Sequence, residues 1–209
     1  MTVIAVDGPA ASGKGTIARA LAAHFGLPWL DTGLLYRAVG VSVLRADGDP
    51  DDPVDALAGC DFPDILLDDP ELRSETAGTY ASRVSVHPVV RAALIERQKA
   101  FADQPGGAVL DGRDIGTVIA PHAHAKLFVE ASAEARADRR YRDEVQDNPD
   151  ADRAAILADI EARDRRDSER ASAPLKRADD ADLLDTTNLT ISAAVQRAIA
   201  LVEARTGKR

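Results

Sequence analysis

The sequence is short of cysteine and of long apolar segments. Cys60 is the single cysteine of the 209 residues, so an internal disulfide is excluded. The histidines, His24, His87, His122 and His124, lack both the spacing of metal ligands and that of a nucleophile–base pair. No apolar run approaches the roughly 18 residues of a membrane span, and the N-terminus lacks the basic flank of a secretory signal. We therefore expect a cytoplasmic protein without a membrane contact.

Lysine is scarce as well. Arginines outnumber lysines 21 to 5, and the formal net charge is −9. A nucleic-acid groove requires the opposite sign, so nucleic acid is not an expected partner. Ten of the arginines lie between Glu134 and Arg177. Their planar guanidinium groups suit bidentate recognition of phosphate, although mixtures of Arg and Asp also form ordinary solvated helix faces.

Short apolar runs alternate with amphipathic segments along the chain. The runs typical of strands lie at residues 2–6, 28–30, 108–110, 126–130 and 183–184. Helices are predicted between them. This alternation predicts an α/β fold, a parallel five-stranded sheet flanked by helices, in one domain of residues 1–209.

Two segments break the alternation. Residues 47–69 are rich in Asp, Pro and Gly and are predicted to be irregular, with a strand only at 62–67. The Arg-rich segment that follows the fourth strand contains a helix predicted to start at Pro149. Insertions after sheet strands commonly form substrate lids. The prediction is a core (residues 1–46, 86–135 and 171–209), an insert (47–85) and a lid (136–170).

The strongest motif follows the first strand and opens the first helix. It reads Gly-Pro-Ala-Ala-Ser-Gly-Lys-Gly-Thr from residue 8 to residue 16. Its glycines let successive N–H groups point at phosphate oxygens, and the helix N-terminus adds positive potential. Lys14 can reach the β- and γ-phosphates. The motif predicts ATP binding by a phosphate loop, with contacts at Gly8, Ser12, Gly13, Lys14, Gly15 and Thr16.

Gly15 departs from the commonest form of this motif, which has Ser or Thr after the lysine to bind Mg²⁺. The Gly-Lys-Gly-Thr variant resembles nucleoside monophosphate kinases, in which phosphates and water hold the metal. It disfavours a GTPase or a motor ATPase. Asp111 ends an apolar strand, where it can order metal-bound water; a plain Asp-Gly turn is the alternative.

Two further motifs contribute arginines. Arg37 lies one turn into the second predicted helix and can point back at an anion, although an exposed helix arginine is an equal alternative. Arg163, Arg166, Asp167 and Arg170 share one helical face by three- and four-residue spacing. That face can hold a phosphate and a ribose hydroxyl together, but spacing alone favours a salt-bridged surface helix.

Together these motifs resemble bacterial cytidylate kinases, from the first strand to the last helix. The specific parts are Asp-Thr-Gly at 31–33 with Tyr36-Arg37, Asp-Gly-Arg-Asp-Ile-Gly-Thr at 111–117, and the Arg/Asp helix leading to Ala-Pro-Leu at 173–175. The resemblance implies a P-loop kinase fold with a nucleotide-acceptor insert and a helical lid. It also implies transfer of the γ-phosphoryl group of ATP to CMP, and to dCMP, with Mg²⁺ as the metal.

The resemblance further implies roles for single residues. The cytosine would face Thr32, Ser82, Arg91 and Asp114, the CMP phosphate would face Arg37, Arg113 and Arg170, and the ribose would face Arg163 and Asp167. The residues assigned to catalysis are Lys14, Arg139, Arg166 and Asp111. Asp111 would act through metal-bound water, without direct protein ligands to Mg²⁺. Closing the lid around Arg136, Arg139 and Arg140 would exclude water. ATP and CMP or dCMP are the expected partners of a monomer.

Two features depart from the family pattern. Thr32 stands where the family usually has Ser, and the insert is shortened, so its small antiparallel sheet is expected to be reduced or missing. Two other functions stay open. One is a kinase for another small acceptor, such as AMP or an alcohol; an alcohol would have to be deprotonated, with Asp31 as the base. The other is a non-catalytic NTP-dependent regulator, which would not need paired lid arginines.

Overall fold

A parallel sheet forms the centre of the computed structural model, which describes residues 1–146 and 148–207. Its order is β2-β3-β1-β4-β5, and every neighbouring pair is parallel. The strands are β1 (Thr2–Asp7), β2 (Trp29–Asp31), β3 (Gly107–Gly112), β4 (Ala125–Glu130) and β5 (Asp182–Asp185). The predicted five-stranded sheet is thus confirmed: four runs are longer than predicted by one to three residues, and the run predicted at 28–30 is shifted by one residue to 29–31.

Helices cover both faces of this sheet. They are α1 (Lys14–Phe25), α2 (Thr32–Arg45), α3 (Pro53–Ala58), α4 (Glu75–Val84), α5 (Pro88–Ala102), α6 (Ala133–Glu144), α7 (Arg153–Glu169) and α8 (Ile191–Thr206). Ile4 and Val6 of β1 pack in one apolar cluster with α1 and α8, while Val3 and Ala5 pack in another with the end of α5. This alternation is the period of two expected for a strand buried on both faces.

The segment 47–85 differs from its prediction. It is largely helical: α3 is capped by Asp52, α4 is capped by Ser74, and two 3₁₀ turns, Asp64–Asp68 and Pro70–Arg73, lie between them. The strand predicted at residues 62–67 is wrong, because Leu66 turns inward from a 3₁₀ turn to an apolar cluster under α2. Segment 47–85 is fully described and contains no strand, as expected for a shortened insert.

Small side chains explain the close contact between α2 and α4. A Cβ atom at Gly40 of α2 would lie 2.7 Å from Cβ of Tyr80, so the two helices touch almost backbone to backbone. The face of α4 that is buried there consists of alanine, glycine, serine and one valine. Such a face has little apolar contrast, which is why the sequence pattern did not predict the helix.

Helices α6 and α7 form a hairpin beside the phosphate loop. Helix α7 begins at Arg153, capped by Asp152, four residues later than predicted from Pro149. Arg136 is 4% exposed and donates to Ala10 O (3.2 Å) and to Asp164 (3.0 Å), so it fixes the hairpin instead of reaching into a cleft. In the described part of the chain, no helix combines the length and the apolar character needed to cross a membrane.

Candidate active site

The phosphate loop lies between β1 and α1, as its sequence predicts. A Cβ atom at Gly8 (φ 155°) would lie 2.0 Å from Val129 O, so only glycine fits the first turn. Gly13 precedes α1 in the left-handed region (φ 88°), and no side chain caps the helix. The hydroxyl of Ser12 is fully buried without a hydrogen-bond partner among the described residues. The amides at the start of α1 and this hydroxyl together can bind an anion.

Lys14 and Asp111 face each other at the carboxyl edge of the sheet. Burial and the nearby Arg113 lower the pKa of Lys14 to about 8, although Asp111 opposes this shift. Burial and the neighbouring Asp31 raise the pKa of Asp111 to about 6, while Lys14 opposes it. Trp29 donates from Nε1 to Asp111 Oδ1 (2.7 Å). At neutral pH this is therefore an ammonium beside a carboxylate.

A large pocket of about 630 Å³, here called the loop pocket, adjoins the phosphate loop. Its other walls are α6 and residues 186–194. Arg139 lies in this wall, where it donates to Thr186 Oγ1 (3.2 Å) and lies 3.4 Å from Ser12 O. Sequence reasoning missed Thr186 and Ile191; the only signal was the polar Asp-Thr-Thr-Asn turn that follows the last strand.

A second pocket, here called the arginine pocket, has a free volume of about 60 Å³ because side chains fill it. All nine residues assigned to the acceptor line it: Thr32, Arg37, Ser82, Arg91, Arg113, Asp114, Arg163, Asp167 and Arg170. They come from α2, α4, α5, the loop after β3 and the end of α7. The structure therefore brings together residues that are up to 138 positions apart in the chain.

Charge in the arginine pocket is positive, and part of it is unpaired. Asp114 is ion-paired with Arg91 and lies 3.7 Å from Arg170 Nη2, while Arg113 Nε donates to Asp167 (2.8 Å). Five arginines against two aspartates leave an excess of three positive charges. Nε of Arg163 and Nη2 of Arg170 are buried with no hydrogen-bond acceptor in the described residues. These donors and this excess of positive charge can receive an anion.

The solvated-face interpretation of the Arg/Asp helix is wrong. Asp167 is 4% exposed and Arg170 is 8% exposed, and Arg166 donates to Ser82 Oγ (3.1 Å) on α4. Arg170 is the C-cap of α7 with an extended backbone, so it follows the helix instead of sharing its face. Helix α7 lies against α4, which turns this face inward.

Arg37 already makes hydrogen bonds to the protein backbone. Its Nη1 donates to Leu72 O (2.7 Å) and Ser74 O (2.9 Å), which ties α2 to the insert. Gly78 on α4 makes room for it: a Cβ atom there would lie 3.1 Å from Arg37 Nη2 and 3.3 Å from Arg163 Nη1. Tyr36 also lines the pocket, with its ring 5.6 Å from the Arg91 guanidinium.

Asp7 is a buried carboxyl that sequence reasoning did not select. It ends β1 and accepts hydrogen bonds from the amides of Ile115 and Gly116, each at 2.8 Å. These amides directly follow Asp114, so Asp7 joins the strand before the phosphate loop to the loop that carries the arginine pocket. Burial raises the pKa of Asp7 to about 7, and the two amides oppose this shift.

Asp7 should make stability depend on pH. The folded protein holds a proton on this carboxyl between its ordinary pKa of 3.8 and about 7, whereas the unfolded chain does not. The free energy of unfolding should therefore fall as pH rises through this window, by at most about 1.4 kcal/mol per pH unit. Urea unfolding at pH 5 and pH 8 should show a smaller fall for Asp7→Asn than for the wild type. Equal falls would contradict the assignment.

The residues around Lys14 fit a metal ion that is held mainly by the phosphates of a bound nucleotide. Within residues 1–146 and 148–207, no group of three or more His, Cys, Asp or Glu side chains could hold a metal ion. A Cβ atom at Gly15 would lie 3.7 Å from Asp111 Oδ2, so the position after the lysine leaves this carboxylate oxygen uncovered. Asp111 thus supplies a single carboxylate to this position, which suits water-mediated contact with a divalent ion.

Sheet order and phosphate loop define the class of the protein: it has the fold of the P-loop kinases, with the arginine pocket beside the loop. A family profile described as "Cytidylate kinase" matches residues 4–204. A protein named Cytidylate kinase from Caulobacter sp. (strain K31) is 57% identical to this chain, over 96% of this chain and 94% of the relative. Another protein of that name, from Xanthobacter autotrophicus (strain ATCC BAA-1158 / Py2), is also 57% identical, over 99% of this chain and 100% of the relative. The chain belongs to the cytidylate kinase family, which consists of nucleoside monophosphate kinases.

The fold alone is also found in a more distant structure. An uncharacterized protein from Eubacterium ventriosum ATCC 27560 has a TM-score of 0.58 at 16% identity, over 98% of this chain and 99% of that one. Family membership speaks against the two alternatives, a kinase for another small acceptor such as AMP or an alcohol, and a non-catalytic regulator. The geometry speaks separately against the alcohol kinase, since Asp31 is already the N-cap of α2, accepting from Gly33 N at 2.9 Å.

Proposed function

We propose that the protein transfers the γ-phosphoryl group of ATP to CMP and to dCMP, giving ADP and CDP or dCDP. The observation that carries this proposal is the position of Lys14. It follows Gly13 of the loop pocket, and its charge interacts with Arg113 and Arg163 of the arginine pocket. An anion donor on one side and an anion acceptor on the other would meet at its ammonium group. Both pockets come from one chain, which supports a site that is complete in a monomer.

ATP would occupy the loop pocket. Its phosphates would bind the amides and side chains of Gly8, Ser12, Gly13, Lys14, Gly15 and Thr16. The unpaired, buried hydroxyl of Ser12 supports this, because a phosphate oxygen would supply the missing partner. The adenosine would lie toward Leu189 and Ile191 at the start of α8, where the pocket has the volume for it.

CMP would occupy the arginine pocket once its internal ion pairs open. Its phosphate would replace protein partners of Arg37, Arg113 and Arg170. Nη2 of Arg170 is buried without a hydrogen-bond acceptor among the described residues, which supports this assignment. The ribose would lie between Arg163 and Asp167, and the base would face Thr32, Ser82, Arg91 and Asp114.

The reaction would need positioning and charge neutralisation, not a base. A nucleotide phosphate is already largely dianionic at neutral pH, so no proton has to be removed from the nucleophile. Lys14 would stabilise the charge on the transferred group, assisted by Arg139 and Arg166 from the α6–α7 hairpin. Arg139 now contacts Ser12 and Thr186, so it is held next to the donor phosphates.

Mg²⁺ bound with ATP would neutralise charge on the phosphate oxygens. Asp111 is the residue that would order its water ligands, because Oδ2 faces the uncovered position at Gly15. Burial and Asp31 raise the pKa of this carboxyl to about 6, and Lys14 and Trp29 oppose a larger rise, so Asp111 would remain ionised at neutral pH.

We also propose that residues 136–170 act as a lid and residues 47–85 as the acceptor-binding insert. Two contacts between them support this: Arg140 pairs with Glu75 (2.5 Å), and Arg166 donates to Ser82 (3.1 Å). Both link α6 or α7 to α4 across the arginine pocket. Arg136 would be the fixed point of the lid, because its partners are Ala10 O and Asp164.

The direct test is ADP release, measured by a coupled assay, with CMP, dCMP, UMP, AMP, GMP and shikimate in turn. We expect turnover with CMP and dCMP and much less with the other acceptors. Shikimate turnover would indicate a kinase for an alcohol instead. ATP binding without ADP release for any acceptor would support the regulator and remove the proposal.

Asp114→Asn should narrow the preference for CMP over UMP. Asp114 can accept a hydrogen bond from the amine of cytosine, whereas the carbonyl of uracil would face a second acceptor. An amide can donate to that carbonyl, so we expect the ratio of kcat/KM values to fall about tenfold or more. Asp103→Asn, an exposed aspartate paired with His122, is the control and should keep the ratio. An unchanged ratio in Asp114→Asn would move base recognition to Ser82 and Arg91.

A further inference from the structure

The single tryptophan of the chain lies at the proposed reaction centre. Trp29 is the first residue of β2, and its indole Nε1 donates to Asp111 Oδ1 at 2.7 Å. The guanidinium of Arg19, on α1, lies 4.7 Å from the centre of the indole ring. The ring is therefore stacked on its outer side while its N–H is directed at the carboxylate.

Strand register explains why the indole reaches Asp111. In the β2–β3 pair, Trp29 is opposite Val109 and Asp31 is opposite Asp111. Side chains two residues apart on a strand share a face, so all four point toward α1. Trp29 and Asp111 are diagonal neighbours, a separation that an aromatic side chain can span.

This hydrogen bond selects one orientation of the carboxylate. Oδ1 is occupied by the indole N–H, and Oδ2 is the oxygen near the position of Gly15. The neighbouring Asp31 repels Asp111, and its own Oδ1 is used to cap α2. Without the indole, this repulsion and the attraction of Lys14 would decide where the Asp111 carboxylate points.

We propose that Trp29 is a positioning residue for phosphoryl transfer, which holds Asp111 so that Oδ2 faces the phosphate loop. This inference rests on the proposed function of Asp111 as the residue that orders metal-bound water. The role is separate from core packing, because it depends on one N–H group and not on the volume of the ring.

Trp29→Phe tests the N–H group, since it keeps an aromatic ring and removes the donor. We expect kcat to fall about tenfold, as for loss of a hydrogen bond to a charged group, with KM for CMP within about twofold of the wild type. Arg19→Gln, which removes the stacked cation but keeps the N–H, is the matched control and should leave kcat within about twofold. An unchanged kcat in folded Trp29→Phe would overturn the proposal.

A spectroscopic measurement keeps the proposal testable if Trp29→Phe does not fold. Growth with 5-fluorotryptophan labels this position alone, so ¹⁹F NMR should give a single resonance that moves when Mg·ATP binds and when Asp111 is changed to Asn. A resonance that ignores both would overturn the inference. The response to Asp111→Asn does not require turnover, so it remains measurable even if the assay with CMP shows no activity and the proposed function fails.

Discussion

Lys14→Ala should lower kcat for phosphoryl transfer about a thousandfold and leave the fold intact. Lys14 is the only positive side chain of the phosphate loop and lies between the two pockets. A preorganised charge aimed at the transferred group contributes about 10²–10³-fold to kcat, and we expect a loss at the upper end of this range. The variant should also bind ATP more weakly, because the ammonium attracts the phosphates before the reaction as well as during it.

Fold and activity have to be measured on the same preparation. Thermal unfolding and circular dichroism should show that Lys14→Ala folds and is at least as stable as the wild type, since burial disfavours the charge of this lysine and lowers its pKa to about 8. Lys176→Ala, at an exposed position, is the control and should keep full activity. Near-normal turnover by a folded Lys14→Ala protein would remove the phosphate-loop assignment.

Strand positions were predictable because the sheet is buried on both faces. Runs such as Val3 to Val6 and Ala108 to Leu110 have no polar residue, and only strands buried on both sides tolerate this in a short segment. The phosphate loop was predictable for a different reason: Gly8, Gly13 and Lys14 have the fixed spacing of a phosphate-binding motif between a strand and a helix. Both signals are local in the sequence.

Helix α4 was not predictable in the same way. Its contact with α2 depends on the missing side chains at Gly40 and Gly78. The periodicity of apolar residues reports only side chains that are present, so it gives no signal for such a contact. The strand expected at 62–67 failed for a related reason. Leu66 and Leu67 lie on a 3₁₀ turn and Phe62 precedes it, and all three side chains pack into apolar clusters under α2 instead of joining a sheet.

The arginine pocket shows the limit of spacing arguments. Spacing predicted that Arg163 and Asp167 share a face, but it could not say whether that face is covered. Coverage comes from α4, the helix that the pattern missed. The family resemblance supplied the nine pocket residues, and the structure places all nine around one cavity. For Arg136 the prediction was wrong in the other direction: it was expected near the substrates, but it is ion-paired with Asp164 inside the α6–α7 hairpin.

Asp167→Ala should reduce activity with CMP more than activity with dCMP. The carboxylate is 4% exposed, and it stays ionised because Arg113 and Arg163 outweigh the effect of burial and lower its pKa. Opened from Arg113, it can accept a hydrogen bond from the ribose 2′-hydroxyl, which dCMP lacks. Losing an acceptor that is charged costs about tenfold or more, so kcat/KM should fall by that factor for CMP relative to dCMP.

The ion pair with Arg113 provides the competing explanation. If Asp167 only orients this guanidinium, at 2.8 Å, its removal would misplace an arginine that contacts the phosphate common to both nucleotides. The losses with CMP and dCMP would then be equal, and the ribose contact would be excluded. Asp159→Asn, on the same helix and paired with Arg140 at 3.2 Å, is the control for a general effect on α7. It removes a lid charge outside the pocket lining, so it should change both substrates alike and leave their ratio at the wild-type value.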